Sequence, residues 1–574
     1  MKNSAKRQPR ATPWQLFGMA VQSLAAGWLL VNLLMGGPWH LKDVGFSASV
    51  SLLGYLVLLL VSAALLFALG LSQGRYLRWA LEGLCYLSAC VWAGAGEDTW
   101  LTLGLGGLTL GGCLLLRDRI PAWEPKKNTV KLLYGLCAVA LFGFIATVTV
   151  CRYLSFSAPG FDFGIFTQMF ESMRKHGTMV TTYERSKLMT HLHVHFSPVY
   201  YLMLPLYCLF PSPVTLQVEQ ALVVALALLP LYGLCKVKGL SRGASVCLAA
   251  AFLLFPALSG STFYDLHENC FLALALLLTV YGAETQKEGW FWLGAALTLC
   301  IKEDAGIYLA FVALYYLLSR QRVKQSAALL AAAVAVFALT TGYVTAHGDG
   351  VISSRFSNLV PNAQDGMLAV VRTAITHPGY LVAQCFTEAK VQYLLFMLLP
   401  LAPVLVNCKN PARFLLLGPM LLLNVLPNYQ YQYNIGFQYH FGSTALLFVF
   451  AILTLSQMEL RRQRASALAA AAVCGVLFCG ANVQKLGYLE RYLSNQETYT
   501  QMQEALDTIP EEASVSASWS LVAHLSGHEE LYSDQGGFQT DYLALDKRME
   551  SKHSTEGYTL VLETDRVLIY QKEN

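Results

Sequence analysis

The sequence predicts an α-helical polytopic membrane protein of about fifteen spans with a small C-terminal α/β domain outside the membrane. Of its 574 residues, 55% are hydrophobic and only 13% are charged, about half the charged fraction of soluble domains. So few charges cannot cover a soluble protein of this length, and the hydrophobicity excludes a disordered chain. Long apolar runs recur from residue 14 to residue 481, and polar residues return after them.

Each predicted span is an apolar run near the length of about 20 residues that a helix needs to cross lipid. The runs lie at 14–35, 46–70, 78–96, 99–116, 130–153, 214–235, 244–261, 268–284, 289–302, 304–319, 326–346, 391–408, 412–427, 439–457 and 465–481. A further run at 197–210 is only 14 residues long and contains two prolines, Pro198 and Pro205. It is predicted to lie along the outer interface, with Tyr200, Tyr201 and Tyr207 at the level of the lipid headgroups.

Lysine and arginine residues predict the orientation of the chain. If the basic N-terminal tail (Lys2, Lys6, Arg7 and Arg10) is cytoplasmic, most of the 40 Lys and Arg residues fall in cytoplasmic links, as the positive-inside rule requires. An odd number of spans then places the C-terminus outside the cell membrane. The formal net charge of +4 is too small to indicate a nucleic-acid partner.

The order of spans and polar segments divides the chain into three parts. They are a four-helix membrane extension at 1–120, a transmembrane core at 121–481 with outside loops at 154–213 and 347–390, and an extracytoplasmic cap at 482–574. Within the cap, alternating polar and apolar residues predict strands at Ala513–Ser518 and Tyr558–Tyr570, with a helix at Ser520–Leu525 between them. The cap is therefore predicted to be a small α/β domain.

Asp162 is the first candidate for catalysis. It lies in the sequence FDFG at the start of the first outside loop. A carboxylate between aromatic residues near the membrane surface can have its basicity tuned by burial and by nearby charges. The alternative is a loop aspartate that caps the helix beginning near Ile165.

Three alternate histidines, His191, His193 and His195, follow in the same loop. On an extended segment their side chains project from one face, which suits a divalent metal ion. The candidate metal ligands are Asp162, His193, His195 and Glu268, and the cofactor is left open, with a divalent cation as the option. The alternative is a set of solvent-facing or capping histidines, since no carboxylate is close in sequence.

Two charged clusters adjoin apolar runs, and ionisable groups are costly at such positions. Their members are Asp265, His267 and Glu268 in one cluster and Lys302, Glu303 and Asp304 in the other. Charges there need partners or a water-filled cavity, so both clusters are predicted to contact substrate. The alternatives are a polar helix cap for the first cluster and a cytoplasmic tight turn for the second.

A loop rich in tyrosines and amides, NYQYQYNIGFQYH at 428–440, supplies further candidates. They are Tyr431, Gln432, Gln438 and His440. Sugar rings pack on aromatic side chains while amides bond their hydroxyls; the alternative is an interfacial aromatic belt. Because all these clusters fall on the outer side of the predicted topology, they indicate one cavity for a lipid-carried anionic substrate, with the phosphate neutralised by Lys302 or a histidine.

With these residues in view, the sequence resembles the DUF2079 family of predicted membrane proteins, within the GT-C superfamily of polyprenyl-phosphate-sugar-dependent glycosyltransferases. The motifs that carry the resemblance are FDFGIFTQ (161–168), HFSPVYYLMLPLYCLFPSPVTL (195–216), FYDLHEN (263–269), KEDAG (302–306), the tyrosine–amide loop and IPEEASVSASWSLVAHLS (509–526). The match runs from about Phe161 to Leu531, so the four spans before residue 120 lie outside the resemblance.

The resemblance implies a GT-C-like fold and sugar transfer on the outer side of the membrane. It implies that Asp162 is the catalytic base, because such enzymes carry an aspartate early in the first outside loop. It also implies donor-phosphate or metal contacts at Asp265, His267, Glu268 and Lys302. The first loop has no Asp-x-Asp sequence, which leaves metal dependence open.

The leading hypothesis is therefore a membrane glycosyltransferase. Its partners are a polyprenyl-phosphate-linked sugar, membrane lipid and a glycan, lipid or protein acceptor. A transporter or lipid flippase is the first alternative, and it predicts inverted repeats and broken helices at mid-membrane. The second alternative is a non-catalytic membrane scaffold, in which Asp162 and Lys302 can be changed without effect.

Overall fold

A computed structural model of the chain describes residues 13–35, 45–71, 75–117, 122–348, 355–360, 362 and 368–573. The N-terminal cations that support the predicted orientation, Lys2, Lys6, Arg7 and Arg10, lie outside these ranges. The longer helices are Pro13–Met35, Leu52–Leu71, Arg75–Gly96, Thr99–Leu116, Lys127–Leu154, Ile165–His176, Pro213–Leu226, Leu228–Val237, Arg242–Leu253, Phe271–Thr285, Glu288–Leu299, Ala305–Leu318, Val323–His347, Leu368–Thr376, Glu388–Leu398, Phe441–Leu455, Leu460–Asn482, Gly487–Ser494 and Gln496–Leu506.

Short helices and single turns connect these elements. They are Gly45–Ser49, Gly160–Gly164, Glu184–Ser186, His191–His193, Pro198–Leu202, Leu204–Leu209, Pro256–Gly260, Glu268–Cys270, Ser357–Leu359, Pro378–Gln384, Leu399–Leu401, Ala402–Leu405, Pro411–Leu417, Met420–Val425, Gln430–Tyr433, Gln438–His440, Val483–Leu486 and Val522–His524. Most of the candidate site residues lie in or beside these short elements rather than inside the long helices.

Ten helical segments among the described residues are long and apolar enough to cross a membrane. The remaining predicted spans correspond to helices that are shorter or less apolar, Arg75–Gly96, Phe271–Thr285, Glu288–Leu299, Ala305–Leu318 and the segment Pro411–Val425. The helical, multi-pass class is confirmed, whereas the count of fifteen spans stays a prediction. Helices suit this chain because lipid offers the backbone no hydrogen-bond partner.

The apolar run at 197–210 forms two short helices, Pro198–Leu202 and Leu204–Leu209, each too short to span. Of the three tyrosines predicted at headgroup level, only Tyr201 is exposed, whereas Tyr200 and Tyr207 are fully buried inside the protein and do not face lipid headgroups. The Tyr207 hydroxyl donates a hydrogen bond of 2.7 Å to Glu171. A polar tip with a buried partner lets a tyrosine enter the core.

The cap contains a five-stranded sheet, whose spatial order is Leu531–Ser533, Val515–Ala517, Tyr542–Asp546, Val567–Lys572 and Tyr558–Glu563. The first three strands are parallel and the last two are antiparallel to their neighbours. The small α/β domain is therefore confirmed. Two details were wrong: the run Tyr558–Tyr570 is a hairpin of two strands, and Ser520–Leu525 contains only the single turn Val522–His524.

Backbone contacts divide the chain into two compact units. One comprises Met1–Gly112 with Ala472–Gln484, and the other comprises Cys113–Ala471 with Lys485–Asn574. Within the first unit, helix Pro13–Met35 packs on Leu52–Leu71 around a small core of Ala26, Leu66 and Leu81. The second unit contains the candidate residues and the cap. The three-part division drawn from the sequence stays a prediction.

Candidate functional site

Loop segments of the second unit surround a cavity of about 160 Å³. Six residues predicted from the sequence line it: Asp162, His195, His267, Glu268, Lys302 and Gln438. Five further polar residues line it. His191, Tyr429 and Tyr439 belong to the histidine and tyrosine–amide segments singled out from the sequence but were not named as site residues, and Glu184 and Arg355 lie outside those segments. Residues far apart in the chain, from the first outside loop to the tyrosine–amide loop, therefore meet at one place.

Asp162 lies in the short segment between helices Lys127–Leu154 and Ile165–His176. Its backbone has φ +70°, a conformation that is rare outside glycine and is concentrated at functional sites. Its Oδ2 lies 3.3 Å from Nε2 of His267, and its side chain is 37% exposed. Burial acts to raise the pKa of Asp162, but the contact with His267 and its charge outweigh burial and hold that pKa below the ordinary value. The carboxylate is ionised at neutral pH and accessible.

Asp265 contacts His267 through its backbone carbonyl. Nδ1 of His267 lies 3.4 Å from the backbone carbonyl of Asp265, which has φ +72°. The fully buried Asp265 carboxylate accepts hydrogen bonds from Arg152 at 2.8 Å and Gln217 at 2.9 Å. Burial raises the pKa of Asp265 to about 6 despite the charge of Arg152. Asp265 thus stabilises the turn and does not line the cavity. Its partner Arg152 lies inside the apolar run 130–153, where a charged residue needs a counter-ion, so the sequence did contain a sign of this pair.

Lys302 lines the cavity as one half of an ion pair. Its Nζ donates a hydrogen bond of 2.7 Å to Oε1 of Glu268, and the two side chains are 3% and 1% exposed. The hydroxyl of Tyr200 donates to the other oxygen of Glu268 at 2.8 Å. The charge that the sequence assigned to a substrate phosphate is therefore already balanced within the protein.

Glu303 fixes the position of His195. Its Oε1 lies 2.9 Å from Nδ1 of His195, and its other oxygen accepts the backbone N–H of Phe196 at 3.1 Å. Glu303 is buried, and the neighbouring Asp304, which precedes helix Ala305–Leu318, is half-buried. Neither carboxylate lines the cavity, so of this charged cluster Lys302 alone does.

Arg355 is the cation that sequence reasoning missed. Its guanidinium carbon lies 5.3 Å from the ring centres of both Tyr429 and Tyr439, in cation–π contact with each. Among the residues that the structure describes, no carboxylate lies within ion-pair distance of it. In the sequence Arg355 is one basic residue in a long polar loop, with nothing to distinguish it.

The tyrosine–amide loop contributes one of its four predicted site residues to the cavity lining. Gln438 lines the cavity, and both Gln432 and Gln438 are buried with an Oε1 that has no hydrogen-bond partner among the described residues. His440 is buried and its Nε2 lies 2.7 Å from the backbone carbonyl of Asn434. Tyr431 packs against other rings of the loop. Gln438 is thus the member of this set that faces the cavity.

The four predicted metal ligands have separate partners. Asp162, His195 and Glu268 each contact a different side chain, as described above, and the ring of His193 stacks on His347 at 5.2 Å. Within the ranges described here, no group of three or more His, Cys, Asp or Glu side chains is arranged to hold a metal ion. The candidates do not fit a single metal centre, and a divalent cation stays a prediction.

The cap holds both sides of the segment that carries Asp162. Before that segment, the ring of His524 stacks on Phe156 at 3.7 Å. After it, the side-chain amide of Gln168 donates a hydrogen bond of 3.1 Å to the backbone carbonyl of Glu529. The unusual backbone conformation of Asp162 is therefore stabilised from outside the loop.

Comparison with known families decides the relationship. The model of DUF2079, a family of predicted membrane proteins, matches residues 152–560. The chain belongs to the DUF2079 family. The match contains every residue of the cavity and most of the cap, and it leaves the predicted N-terminal extension outside, as expected. No curated protein matches this DUF2079 protein.

Two crystal structures resemble this DUF2079 protein at a distance. ArnT from Cupriavidus metallidurans bound to undecaprenyl phosphate gives a TM-score of 0.46 at 11% identity, covering 78% of this chain and 98% of that chain. The same protein in the apo state gives a TM-score of 0.43 at 11% identity, covering 74% and 96%. At these values the function has to be inferred from the chemistry of the cavity.

Proposed function

We propose that this protein is an integral-membrane glycosyltransferase that moves a sugar from a polyprenyl-phosphate donor to an acceptor hydroxyl. The observation that carries the proposal is the cavity lining, in which the ionised, accessible Asp162 occurs with Arg355, a cation with no carboxylate within ion-pair distance among the described residues. A base beside an anion site suits sugar transfer from a lipid phosphate. The sequence resemblance to the GT-C superfamily supports the same reaction.

In the proposed reaction, Asp162 accepts the proton of the acceptor hydroxyl. The hydroxyl oxygen then forms a bond to the anomeric carbon of the sugar, and the bond between that carbon and the phosphate oxygen breaks with its electron pair on the oxygen. Arg355 stabilises the charge that develops on the departing polyprenyl phosphate. His267, in contact with Asp162 at 3.3 Å, holds the carboxylate toward the cavity.

The proposed orientation places the N-terminus in the cytoplasm and the cap outside. Its support is the distribution of lysine and arginine along the sequence. A cysteine introduced at the exposed Glu556 of the cap should add labelling by a membrane-impermeant maleimide in intact cells beyond that of the unchanged protein, which already has 14 cysteines. Labelling only after the membrane is opened would contradict this orientation.

Mass spectrometry of lipid-linked sugars tests the function itself. Cells that lack the gene should accumulate one polyprenyl-phosphate sugar and lose one glycan modification, and purified protein should convert that donor to polyprenyl phosphate when acceptor is added. Movement of the lipid across liposomes without sugar transfer would favour a flippase instead. Unchanged lipids and glycans in the deleted strain would contradict both activities.

Arg355→Met is expected to weaken binding of the donor. A charge-assisted contact to phosphate is lost, so KM for the donor should rise by about tenfold to a hundredfold. Arg355→Lys keeps the charge but not the planar guanidinium. Its KM for the donor should therefore lie between the values of the unchanged protein and Arg355→Met. Initial rates over a range of donor concentrations measure the effect. An unchanged KM in Arg355→Met would remove Arg355 from the phosphate site.

Gly164→Ala is expected to displace Asp162. A Cβ at Gly164 would lie 2.6 Å from Cγ1 of Val522 in the cap, so the segment must shift, and transfer should fall by about tenfold or more. Adding Val522→Ala removes the obstructing methyl group and should restore most of the rate. Rates of the single and double variants provide the measurement; no restoration would contradict a steric cause.

A further inference from the structure

Four aromatic rings form a continuous row beside the cavity. In spatial order they are Tyr264, Phe437, Tyr431 and Tyr429, and together they are called the aromatic row. Neighbouring ring centres lie 4.7, 4.5 and 5.0 Å apart in that order. All four residues are half-buried, so each keeps part of its surface open to solvent. The reaction proposed above assigns no role to any of them.

The aromatic row joins the two groups on which the proposed reaction depends. At one end the ring of Tyr264 stacks on His267 at 5.9 Å, and Nε2 of His267 lies 3.3 Å from Asp162. At the other end Tyr429 lines the cavity, and its ring centre lies 5.3 Å from the guanidinium carbon of Arg355. The row therefore extends along the space between the proposed base and the proposed phosphate ligand.

The electrostatics of the two end rings support this placement. Burial raises the pKa of Tyr429, while the charge of Arg355 acts to lower it and the charge of Asp162 to raise it. Tyr429 thus lies within electrostatic range of both charged groups. Burial and the charge of Asp162 also raise the pKa of Tyr264. Both ends of the row are therefore close to the reacting groups.

The cavity alone is smaller than an ordinary substrate site. Its volume of about 160 Å³ is below the roughly 300–1,000 Å³ of most small-molecule sites, and the donor carries a sugar in addition to its phosphate. In the proposed reaction the phosphate lies at Arg355 and the anomeric carbon lies within reach of an acceptor oxygen at Asp162. The sugar ring then lies beside the aromatic row. Sugar rings have an apolar face of C–H groups, which packs on aromatic side chains.

The charges of the cavity indicate which class of sugar it accepts. Among the described residues of the lining, each carboxylate already has a side-chain partner: Asp162 has His267, Glu184 has His191 and Glu268 has Lys302. The ammonium group of an amino sugar would compete with the acceptor for Asp162. A sugar acid would bring a second anion, whereas Lys302 is balanced by Glu268 and Arg355 is assigned to the phosphate. Because an unpaired buried charge is costly, these surroundings favour a neutral sugar.

We propose that the aromatic row binds the sugar of the donor and that this sugar is neutral. The inference rests on the proposed function and names the substrate class of the same site. The apolar face of the sugar packs on the rings, while the phosphate lies at Arg355 and the acceptor hydroxyl at Asp162. Phe437 lies in the middle of the row, so its replacement leaves both ends of the row in place.

Binding of synthetic lipids to the purified full chain, measured by calorimetry in detergent, tests this inference. The probes are undecaprenyl phosphate without a sugar and the same lipid carrying glucose, mannose, galactose, arabinose, glucosamine or glucuronate. A lipid with one of the neutral sugars should bind more tightly than undecaprenyl phosphate and more tightly than the glucosamine and glucuronate lipids. Phe437→Leu should weaken binding of that neutral-sugar lipid by about twofold to tenfold and leave binding of undecaprenyl phosphate unchanged.

Two further variants separate the loss of stacking from a loss of folding. Phe437→Tyr keeps an aromatic ring at the position and should keep the preference for the neutral-sugar lipid. Phe538→Leu is the matched control, because Phe538 is a half-buried phenylalanine of the cap whose ring stacks on Tyr532 at 4.5 Å. Its affinity for every lipid should be unchanged. The preference of the unchanged protein among the sugars needs no variant and therefore tests the inference even if Phe437→Leu does not fold.

Several results would overturn the inference while leaving the proposed function intact. They are tightest binding of the glucosamine or glucuronate lipid, no neutral-sugar lipid that binds more tightly than undecaprenyl phosphate, and an unchanged affinity for the neutral-sugar lipid in folded Phe437→Leu. An equal loss of affinity for undecaprenyl phosphate in Phe437→Leu would assign the row to the polyprenyl chain instead. A folded, unchanged protein that binds none of the lipids would contradict the proposed function, and the inference with it.

Discussion

Asp162→Asn is expected to lower sugar transfer by about 10²–10⁴-fold while the protein stays folded. Asn has nearly the same shape and can keep the contact with His267, but it cannot accept a proton from the acceptor hydroxyl. Because the side chain is 37% exposed, the substitution leaves no buried cavity. Transfer rates and thermal unfolding of the two purified proteins provide the measurement.

The pH dependence of the unchanged protein offers an independent check on Asp162. Its pKa lies below the ordinary value, so the carboxylate is present at neutral pH and is lost only as pH falls through that lowered pKa. The limb of the rate profile that reports the base should therefore lie at a lower pH than the ordinary pKa of an aspartate would place it. Full activity of Asp162→Asn would exclude Asp162 as the base, and loss of folding would assign it a structural role.

The sequence pointed to residues in and beside the candidate cavity because charge is costly beside apolar segments. Asp265, Glu268 and Lys302 are ionisable groups next to membrane-spanning runs, and such groups need partners or a cavity. What the sequence could not provide was the pairing. Lys302 and Glu268 are 34 residues apart and meet at 2.7 Å, a contact that follows from how the helices pack and leaves no local pattern.

Arg355 and Tyr200 escaped detection for different physical reasons. Arg355 lies in an ordinary polar loop, and its importance comes from the two tyrosine rings that the fold places around it. Tyrosine is amphipathic and occurs both at lipid headgroups and in protein cores. The sequence around Tyr200 therefore did not indicate that its hydroxyl donates a hydrogen bond to Glu268.

In the cap, the predicted strand Tyr558–Tyr570 is divided by a three-residue turn after Glu563, although its alternation of polar and apolar residues is otherwise continuous.

Lys302→Met is expected to destabilise the protein by about 3–5 kcal/mol, because it leaves the Glu268 carboxylate buried without its counter-ion. The two side chains are 3% and 1% exposed, and only the hydroxyl of Tyr200 would remain on that carboxylate among its described side-chain partners. Adding Glu268→Gln removes the unbalanced charge, so the double variant should be more stable than Lys302→Met alone. Denaturant titration in detergent measures the free energy of unfolding of the single and the double variant.

Lys547→Met provides the matched control, since Lys547 pairs with Glu563 on the surface, where the side chains are 31% and 57% exposed. An exposed pair contributes about 0–1 kcal/mol, so this variant should unfold nearly as the unchanged protein does.

Stability and KM together distinguish the roles of the two cavity cations, Lys302 and Arg355. Lys302, already balanced by Glu268, should affect stability more than KM, whereas Arg355 should affect KM more than stability. A Lys302→Met protein as stable as the control but with a raised KM would reverse these assignments and make Lys302 the phosphate ligand.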